Sequence, residues 1–494
     1  MSKSKTPSFI LSLKLNTTSY DERMLEHRFY VAFLMKNRLI RYAKKQLSSM
    51  RQDKEYRTLM DERKTLIDKK DDASKMRKAA IGKELSRIRM GYGLSEYQFH
   101  EWIGTQQRRY KKHIDSLTAQ KIATVIWQSV ETCLYRKGKS IHFQRLDDLY
   151  SLEGKNNASG IRFKEGRLHW NGLIIQPQLR KGDWYAREAL KHRIKYCRIK
   201  RMAMGTTYHY YLELILEGIP PRKHNAINGR VGIDPGTSSE AVFSEHGCIL
   251  TELANERKDI HKQVTRLSRK LDRSRRANNP NNYNSDGTVK KGRKTWVKSK
   301  VYKITRMRLK TLRRRNAATV KQSEEMLANE ILESHGSDII TEKMNYKALQ
   351  LKAKEDVISS KTGKHRSRGR FGKSLSKHAP ARFLCILERK LSYINKTINY
   401  VDTWKFKASQ YDHVVGDYNS VSLNSRSKFI GTDRVQRDLY SAFLLYCASD
   451  DTAIDRNICI DMFPLFLNFQ STCINNLINS NKHALASFGL KDFM

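Results

Sequence analysis

The sequence predicts a multidomain protein of the α+β class, and three observations support this fold class. First, a chain of 494 residues is long enough for several domains, and 39% hydrophobic residues suffice for a core in each. Second, apolar residues alternate with polar ones in residues 8–15 and again in 138–220, whereas helical spacing dominates between these ranges. Third, short apolar strands alternate with long helices from Arg230 onward, as in α/β domains.

The first half predicts a β-rich domain that a helical segment interrupts. FILSLKLN, residues 8–15, predicts one strand. From Ser19 to about Arg136 the apolar spacing is helical, and the highly charged part from Met50 to Arg89 predicts a solvated or RNA-facing helical arm. Beyond this segment, four runs predict an antiparallel sheet or a small barrel: KSIHFQR, GIRFKEGRLHWNGLIIQPQL, RIKYCRIKRM and TYHYYLELILEG.

The second half predicts strands that carry acidic residues. After a Pro-Pro boundary, RVGID predicts a buried strand with Asp234, and EAVFS and CILTEL predict a hairpin that follows it. Two basic helical segments, about 254–277 and 294–334, come next. The apolar strand GSDIITE then ends in Glu342, and RVQRDLYSAFLLYC predicts an amphipathic helix that begins close to Asp438.

The charge of the chain predicts a polyanionic partner. Lys and Arg total 95 against 50 Asp and Glu, a net charge of +45, and the excess is spread along most of the chain. Nucleic acid is the partner that such a field favours. Residues 251–320 hold 22 Lys or Arg against 5 Asp or Glu, so we expect the helical pair to track phosphates rather than to be only a solvated face. The arginines expected to contact nucleic acid are Arg266, Arg269, Arg273, Arg276, Arg313, Arg314, Arg366, Arg368 and Arg370.

Several other classes of protein are disfavoured. No run of 18 apolar residues exists, and MSKSKTPSF lacks the apolar core of a signal peptide, so we expect no membrane partner and a cytoplasmic, prokaryotic, nucleoid-associated protein. The seven cysteines show no CxxC pair, which argues against a disulfide framework and a zinc ribbon and predicts reduced, mostly buried thiols.

Two further sequence features resemble a nucleotide-binding motif or metal ligands, but their spacing argues against both roles. RSRGRFGKS, residues 366–374, ends like a phosphate-binding P-loop, but Ser367 stands where that motif needs glycine, so we expect a flexible basic loop instead. His365, His378 and His413 have no partners at metal-ligand spacing, and we expect them to face solvent or nucleic acid.

Three carboxylates carry the strongest chemical signal. Asp234 precedes Pro-Gly, so on local grounds it is either the capping residue of a turn or a metal ligand. Asp234 and Glu342 lie on apolar strands, and Asp438 opens an amphipathic helix. Carboxylates gathered at strand ends repel one another unless a cation holds them, and their hard oxygens suit Mg²⁺ or Mn²⁺. Two such ions can activate water and stabilise the leaving oxygen of a phosphodiester.

The segments that carry these acids resemble a known family. GIDPGTSS, IITEKMNYKAL and VQRDLYSAF, in this order, resemble the three acidic motifs of the RuvC-like nuclease domain in TnpB-type transposon-encoded nucleases and compact type V CRISPR effectors. The basic helical pair between the first two motifs, and GRFGKSLSKHAPARFLCILERKLSYINKTINYV before the third, are also similar to that family. The resemblance covers nearly the whole chain, although residues 1–225 match in architecture more than in motif.

The resemblance implies an RNase H-like (RuvC) α/β nuclease domain, preceded by a β-barrel-like domain with a helical insertion. It implies Asp234, Glu342 and Asp438 as catalytic and metal-binding residues for two Mg²⁺ or Mn²⁺ ions, and a guide RNA and double-stranded target DNA with a short flanking motif as partners. The implied segments are a first strand of the β-rich, wedge-like domain (1–18), a helical recognition-lobe insertion (19–137), the rest of the β-rich domain (138–225), the nuclease domain with the basic pair at 254–334 (226–404), a small insertion (405–433), and the third motif with C-terminal helices (434–494).

One departure from the family concerns zinc. Many relatives carry a four-cysteine zinc ribbon before the third motif, but KASQYDHVVGDYNSVSLNSRSKF has no cysteine, so we expect an insertion without zinc. Its acids Asp412, Asp417 and Asp433 are rivals for the third ligand, and Asp438 is favoured because it opens a helix.

These observations support an RNA-guided, Mg²⁺-dependent DNA endonuclease as the leading hypothesis. Two alternatives stay open, namely a non-cutting RNA-guided DNA-binding protein such as a repressor, and a basic structural component of a ribonucleoprotein. Neither the source of the guide RNA, the flanking motif, the cleavage pattern nor the oligomeric state follows from the sequence.

Overall fold

The computed structural model describes residues 6–69, 71–135, 138, 140–351, 358, 371–419, 425–480 and 488–494. The fold is mixed α and β. The chain divides into two compact units, Met1–Pro221 and Arg222–Met494, called unit 1 and unit 2 below. None of the described helices is both long and apolar enough to cross a membrane.

Unit 1 combines a helical segment with two small sheets. Its helices are α1 (Ser19–Gln52), α2 (Lys54–Thr65), α3 (Asp72–Gly91), α4 (Glu96–Arg109), α5 (Ser116–Tyr135) and α6 (Trp184–Ala189). Its strands are β1 (Ser8–Leu15), β2 (Ser151–Glu153), β3 (Arg162–Lys164), β4 (Arg167–Trp170), β5 (Leu173–Ile175), β6 (Pro177–Gln178), β7 (Ile194–Met204) and β8 (Thr207–Glu217). A 3₁₀ turn covers Leu146–Asp148.

Local sequence explains where the first elements begin. Alternate residues of β1, from Phe9 to Leu15, are buried in a core that they share with α1 and α5. Helix α1 begins at Ser19 because Thr18 caps it: the Thr18 hydroxyl accepts a hydrogen bond from the Asp21 amide at 3.2 Å, and the Asp21 carboxylate accepts one from the Thr18 amide at 2.9 Å.

The described strands of unit 1 form an open sheet, so the expectation of a barrel-like domain is wrong. The main sheet has the order β2-β7-β8-β1-β6, and β3, β4 and β5 form a separate antiparallel sheet. Among the described strands, the edge strands β2 and β6 pair with β7 and β1 respectively and not with each other, so the sheet does not close. The run KSIHFQR was also expected to be a strand, but its described residues 140–145 lie in irregular structure.

Unit 2 is built on a five-stranded mixed sheet. Its strands are β9 (Arg230–Pro235), β10 (Ser239–Ser244), β11 (Gly247–Glu252), β12 (Asp338–Glu342), β13 (Asn399–Val401), β14 (Tyr411–Asp412), β15 (Asp417–Tyr418), β16 (Ser427–Ile430) and β17 (Asp433–Gln436). Its helices are α7 (His261–Ala277), α8 (Lys300–Glu330), α9 (Tyr346–Leu349), α10 (Gly372–His378), α11 (Pro380–Ser392), α12 (Thr403–Phe406), α13 (Arg437–Tyr446) and α14 (Arg456–Asn479). A π-helical turn, Ile331–His335, extends α8, and 3₁₀ turns cover Pro280–Asn282 and Leu490–Phe493.

The central sheet of unit 2 has the order β11-β10-β9-β12-β13 and separates two hydrophobic cores. Strand β9 pairs antiparallel with β10 and parallel with β12, and β12 pairs parallel with β13. One face contributes Ala241, Phe243 and Ile340 to a core with α13 and α14, and the other contributes Val231 and Ile339 to a core with α11. The remaining strands form two short hairpins, β14-β15 and β16-β17. The expected division into six segments stays a prediction.

Candidate active site

Asp234 lies within strand β9 and does not cap the turn that follows it. Asp234 pairs with Ala241 of β10, and the turn is closed by a hydrogen bond from the Gly236 amide to the Ser239 carbonyl oxygen at 2.9 Å. The Asp234 carboxylate accepts no hydrogen bond from another residue that the structure describes. The turn interpretation of Asp234 is therefore wrong, because Pro235 and Gly236 form the turn without its side chain.

Glu342 lies beside Asp234 at the carboxyl ends of two parallel strands. In the β9-β12 ladder Thr341 is opposite Ile233, so Glu342 is next in register with Asp234. Neighbouring residues of parallel strands that are in register project from the same face of the sheet. The face is the one that α13 covers, since Ile340, two residues before Glu342, belongs to the core that contains α13.

Asp438 comes to the same face because α13 packs closely against Gly232. A methyl group at Gly232 would overlap the carbonyl oxygen of Ala442. Gly232 is two residues before Asp234, and Ala442 is one helical turn after Asp438, so the close approach of strand and helix brings the two acids toward each other.

The start of α13 is fixed by a buried glutamine. The side chain of Gln436 is buried, and its Oε1 accepts a hydrogen bond from the Leu439 amide at 2.6 Å. The Gln436 amide in turn donates to Oε1 of Gln470 on α14 at 2.7 Å. The first turn of α13, which carries Asp438, is therefore held in place by α14 as well as by the sheet.

The three acids influence one another electrostatically. Burial raises the pKa of Asp234 well above its usual range, and the negative charges of Asp438 and Glu342 raise it further. Burial also raises the pKa of Glu342, to about 7. Nearby Arg437 acts in the opposite direction on Asp234, but it is the smallest of the effects. The positive charge of Arg437 therefore does not compensate the negative charge of the acids around Asp234.

Arg437 is a member of the site that the sequence analysis missed. Its guanidinium donates to Oδ1 of Asp438 from Nε at 3.1 Å and from Nη2 at 2.9 Å, and from Nη1 to the Ser425 carbonyl oxygen at 3.0 Å. The side chains of Arg437 and Asp438 are only 14% and 15% exposed, so this contact is shielded from solvent. The signal in the sequence was an Arg directly before Asp in VQRDLY.

The three carboxylates are chemically suited to a hard divalent cation, although their positions in this structure do not surround one. Three carboxylates with mutually unfavourable charges are the oxygen ligands that Mg²⁺ or Mn²⁺ prefers, and a cation would relieve their repulsion. Within the described ranges, no three His, Cys, Asp or Glu side chains lie close enough together to hold a metal ion. In this arrangement Asp438 is bound to Arg437 instead.

The rival third acids lie elsewhere. The Asp412 carboxylate accepts a hydrogen bond from the Val414 amide at 2.9 Å, and thus stabilises the β14-β15 turn. Asp417 and Asp433 are exposed in the hairpins of the insertion. The pKa of Asp234 is raised by Asp438 and by none of these three.

A fourth carboxyl, Glu240, was missed because it sits in the apolar run EAVFS. It is buried, and neither of its carboxyl oxygens has a hydrogen-bond partner in the part of the chain that the structure describes. It projects from the opposite face of the sheet to Asp234, because Asp234 is opposite the neighbouring residue Ala241. Burial raises the pKa of Glu240 well above its usual range, and the charges of Asp234 and Glu324 add to this effect.

The basic helical pair presents three of its predicted arginines in one groove. Arg266, Arg269 and Arg273 are exposed and line a groove of about 440 Å³ on α7, together with His261, Lys262 and Thr265. Arg276 is exposed but engaged, since its Nε donates to Asp272 at 2.8 Å and its Nη1 to the Gly287 carbonyl oxygen at 2.9 Å. Of the four arginines predicted on α7, the first three therefore line the groove and Arg276 does not.

The other arginines predicted to contact nucleic acid differ in exposure or lie outside the described residues. On α8, Arg313 is exposed and Arg314 is half-buried with a partner of its own. Arg366, Arg368 and Arg370 lie outside the described residues, as does His365.

The expectation that His378 and His413 face solvent or nucleic acid is wrong. Both are buried, and Nδ1 of His378 lies 2.7 Å from the Leu253 carbonyl oxygen while Nδ1 of His413 lies 2.7 Å from the Tyr440 hydroxyl. The two histidines thus satisfy buried polar groups. All seven cysteines are free thiols; Cys197, Cys447 and Cys459 are buried, whereas Cys385 is exposed.

Comparison with known proteins finds no family model and no curated protein that match the chain. Some solved structures are similar to the chain in structural alignment. The cryo-EM structure of a Cas12f1–sgRNA–target DNA complex overlaps with a TM-score of 0.41 at 10% identity, over 90% of this chain and 99% of that chain. A cryo-EM structure of a CRISPR-Cas12f ternary complex gives a TM-score of 0.26 at 11% identity, over 89% and 87%. The neighbours are Cas12f effector complexes. Both TM-scores are below 0.5, so neither overlap assigns an activity to this chain.

Proposed function

We propose that the chain is an RNA-guided DNA endonuclease with one RNase H-like active site at the carboxyl ends of β9 and β12. The observation that carries the proposal is the convergence of Asp234, Glu342 and Asp438, three sequence-distant acids, on one face of the sheet. Structural ion networks also perturb pKa values, but here the two carboxyls with a raised pKa, Asp234 and Glu342, lie in two of the three motifs that resemble the nuclease family.

Each residue has a part in this proposal. Asp234, Glu342 and Asp438 would hold divalent cations, and Arg437 would orient the Asp438 carboxylate. Bound Mg²⁺ would supply Lewis-acid stabilisation and an activated water for phosphodiester hydrolysis. The exposed arginines of α7 would bind phosphates of the nucleic acid, while base pairing with a guide RNA would select the target.

The test is cleavage by the purified ribonucleoprotein. The protein is purified with its co-expressed RNA and given Mg²⁺ and duplex DNA that matches the RNA, with a library of flanking sequences. The wild type should cut, and Asp234→Ala should not. Asp433→Ala is the matched control, because it removes an exposed acid from the insertion and should cut like the wild type. Absence of cleavage by the wild type, or normal cleavage by Asp234→Ala, would overturn the proposal.

A second candidate is RNA-guided DNA binding without cleavage. The ion pair between Arg437 and Asp438 favours it, since this contact occupies one of the three carboxylates. The same preparation distinguishes the two candidates: retention of matched DNA without cutting, equal in the wild type and Asp234→Ala, supports the second. Sequencing of the copurified RNA separates both from a structural ribonucleoprotein component, since a guided protein carries one defined RNA with a variable end.

A further inference from the structure

Helices α1 and α4 of unit 1 form an open surface cavity that the proposed nuclease site does not use. The cavity, called the α1–α4 cavity below, has a volume of about 500 Å³, which is within the range of about 300–1,000 Å³ typical of small-ligand pockets. It is lined by Arg38, Arg41, Tyr42, Lys45, Trp102, Thr105, Gln106 and Arg109. Each helix contributes four residues at spacings i, i+3, i+4 and i+7, so each helix presents one continuous face.

Two aromatic rings of the cavity are already stacked. The rings of Tyr42 and Trp102 are 5.0 Å apart between centroids at an interplanar angle of 23°. Tyr42 also contacts the buried Phe99 edge-on at 5.9 Å, which fixes the position of its ring. Both rings are only half-buried, so the stack borders the cavity and can accept another flat ring.

A buried amide on the cavity wall lacks hydrogen bonds. Gln106 is 8% exposed, and neither Oε1 nor Nε2 has a hydrogen-bond partner among the residues the structure describes. Unpaired buried polar groups are rare because they are destabilising. A side-chain amide offers two donors and one acceptor, which matches the polar edge of a nucleobase.

Four cations surround the stack without compensating charge. Arg38, Arg41, Lys45 and Arg109 are all exposed, and none makes an ion pair or hydrogen bond through its side chain with another described residue. Four uncompensated cations that converge on one cavity attract an anion, and guanidinium groups bind phosphate well.

From these observations we infer that the α1–α4 cavity binds one unpaired nucleotide of a single-stranded nucleic acid. The base would extend the Tyr42–Trp102 stack, Gln106 would rotate to bond its polar edge, and the four cations would bind the flanking phosphates. The nucleotide must be unpaired, since a base within a duplex offers no free face to the stack. The inference rests on the nucleic-acid binding in the proposed function and requires no cleavage.

The experiment is photo-cross-linking to the full-length protein, stripped of RNA, in the presence of EDTA. The probes are short single strands with one 4-thiouridine in RNA or one 4-thiothymidine in DNA, and matched duplexes. Mass spectrometry of the adducts should locate cross-links in the α1 and α4 peptides that contain Tyr42 and Trp102, with single strands but not with duplexes. Adducts with RNA alone assign the nucleotide to the guide, and adducts with DNA alone assign it to a target strand.

Variants test the roles of the ring and the amide. Trp102→Leu keeps apolar bulk but removes the aromatic face, and the cross-link yield should fall about tenfold. Tyr97→Ala removes an exposed ring of α4 outside the cavity and should leave the yield unchanged. In competition with unlabelled homopolymers of the four bases, Gln106→Leu should make the four competitors more nearly equal. The variant should not destabilise the protein, because it removes an unpaired polar group.

The outcomes separate this inference from the proposed nuclease. Three results would overturn the inference that the cavity binds a nucleotide: cross-links that map only outside α1 and α4, equal yields with duplexes, or no effect of Trp102→Leu. None of these results would affect the nuclease proposal. Cross-links at the cavity in a protein that never cuts DNA would support the cavity and count against the nuclease. Asp234→Asn should cross-link like the wild type, because Asp234 belongs to unit 2.

Discussion

The acid site of unit 2 and the α1–α4 cavity of unit 1 are opposites in charge. In the acid site, burial raises the pKa of Asp234, and the negative charges of Asp438 and Glu342 raise it further. In the α1–α4 cavity four cations surround an aromatic stack, and none of them pairs with an acid in the described part of the chain. Both regions gather side chains of like charge, and a ligand of opposite charge, as the two proposals require, would relieve that repulsion.

Replacing Asp234 should have the largest effect and should separate function from stability. Asp234→Asn removes a negative charge from the crowded acids, so the cleavage rate should fall by about a thousandfold or more. In EDTA at pH 8 the same variant should raise the free energy of unfolding, because burial and the negative charges of Asp438 and Glu342 disfavour the ionised Asp234 carboxylate. Single-turnover cleavage and chemical denaturation measure the two effects, and a destabilised Asp234→Asn protein would contradict this picture of the site.

Gly232→Ala should loosen the helix that brings Asp438 to the site. The added methyl group overlaps the Ala442 carbonyl oxygen, and overpacking of this kind costs about 1–3 kcal/mol. Hydrogen exchange of the α13 amides should accelerate, and cleavage should fall with it. Gly82→Ala is the control, because a methyl group there meets no atom within 4 Å and should leave exchange in α13 unchanged.

Glu240→Gln should change how stability depends on pH. The native pKa of Glu240 is raised above its ordinary value of 4.5, so the native state keeps a proton that the unfolded chain releases. The free energy of unfolding of the wild type should therefore fall as pH rises from 4.5 toward the native pKa, by up to about 1.4 kcal/mol per pH unit relative to Glu240→Gln.

Denaturation of both proteins at pH 5 to 8 measures this difference, with Glu245→Gln, an exposed acid at the next turn, as the control. If the free energy of unfolding depends on pH in the same way for wild type and Glu240→Gln, Glu240 does not titrate as a buried group.

Arg109→Ala should have the smallest effect and should test the cations of unit 1. If Arg109 contacts a phosphate, its loss should weaken single-strand binding uniformly across sequences and reduce the slope of log K against log salt by roughly one. Arg108→Ala removes the same charge from the neighbouring position, which does not line the α1–α4 cavity, and should change the slope less. Equal slopes for the two variants would mean that only the net charge of the chain matters.

The acid site was predictable because its motifs are short and local. RVGIDPG contains both the acid and the glycine that lets α13 approach, and Glu342 ends a recognisable apolar strand. The role of Gly232 itself was not predictable, since its close contact is with Ala442, about 200 residues away. Arg437 and Glu240 were missed because their roles depend on burial and on neighbours that the sequence does not reveal.

The α1–α4 cavity was hidden for a different reason. Its residues follow a helical spacing that, within either helix alone, indicates an ordinary polar face. Only the packing of α1 against α4 brings Tyr42 onto Trp102 and leaves the Gln106 amide without a hydrogen bond to any residue that the structure describes. The barrel expectation failed similarly, because alternation within each run predicts a strand, whereas tertiary packing decides whether the edge strands β2 and β6 pair with each other.

The packing of α13 on Gly232 forms late during synthesis, because Ala442 follows Gly232 by about 200 residues. Asp234 and Glu342 leave the ribosome before Asp438, which follows Asp234 by about 200 residues. At translation rates of about 5–20 residues per second, the growing chain lacks its third acid for roughly 10 to 40 seconds after Asp234 is made. During that interval all residues of unit 1 have been synthesised, so under the proposed function unit 1 would bind RNA before the chain has a complete set of acids.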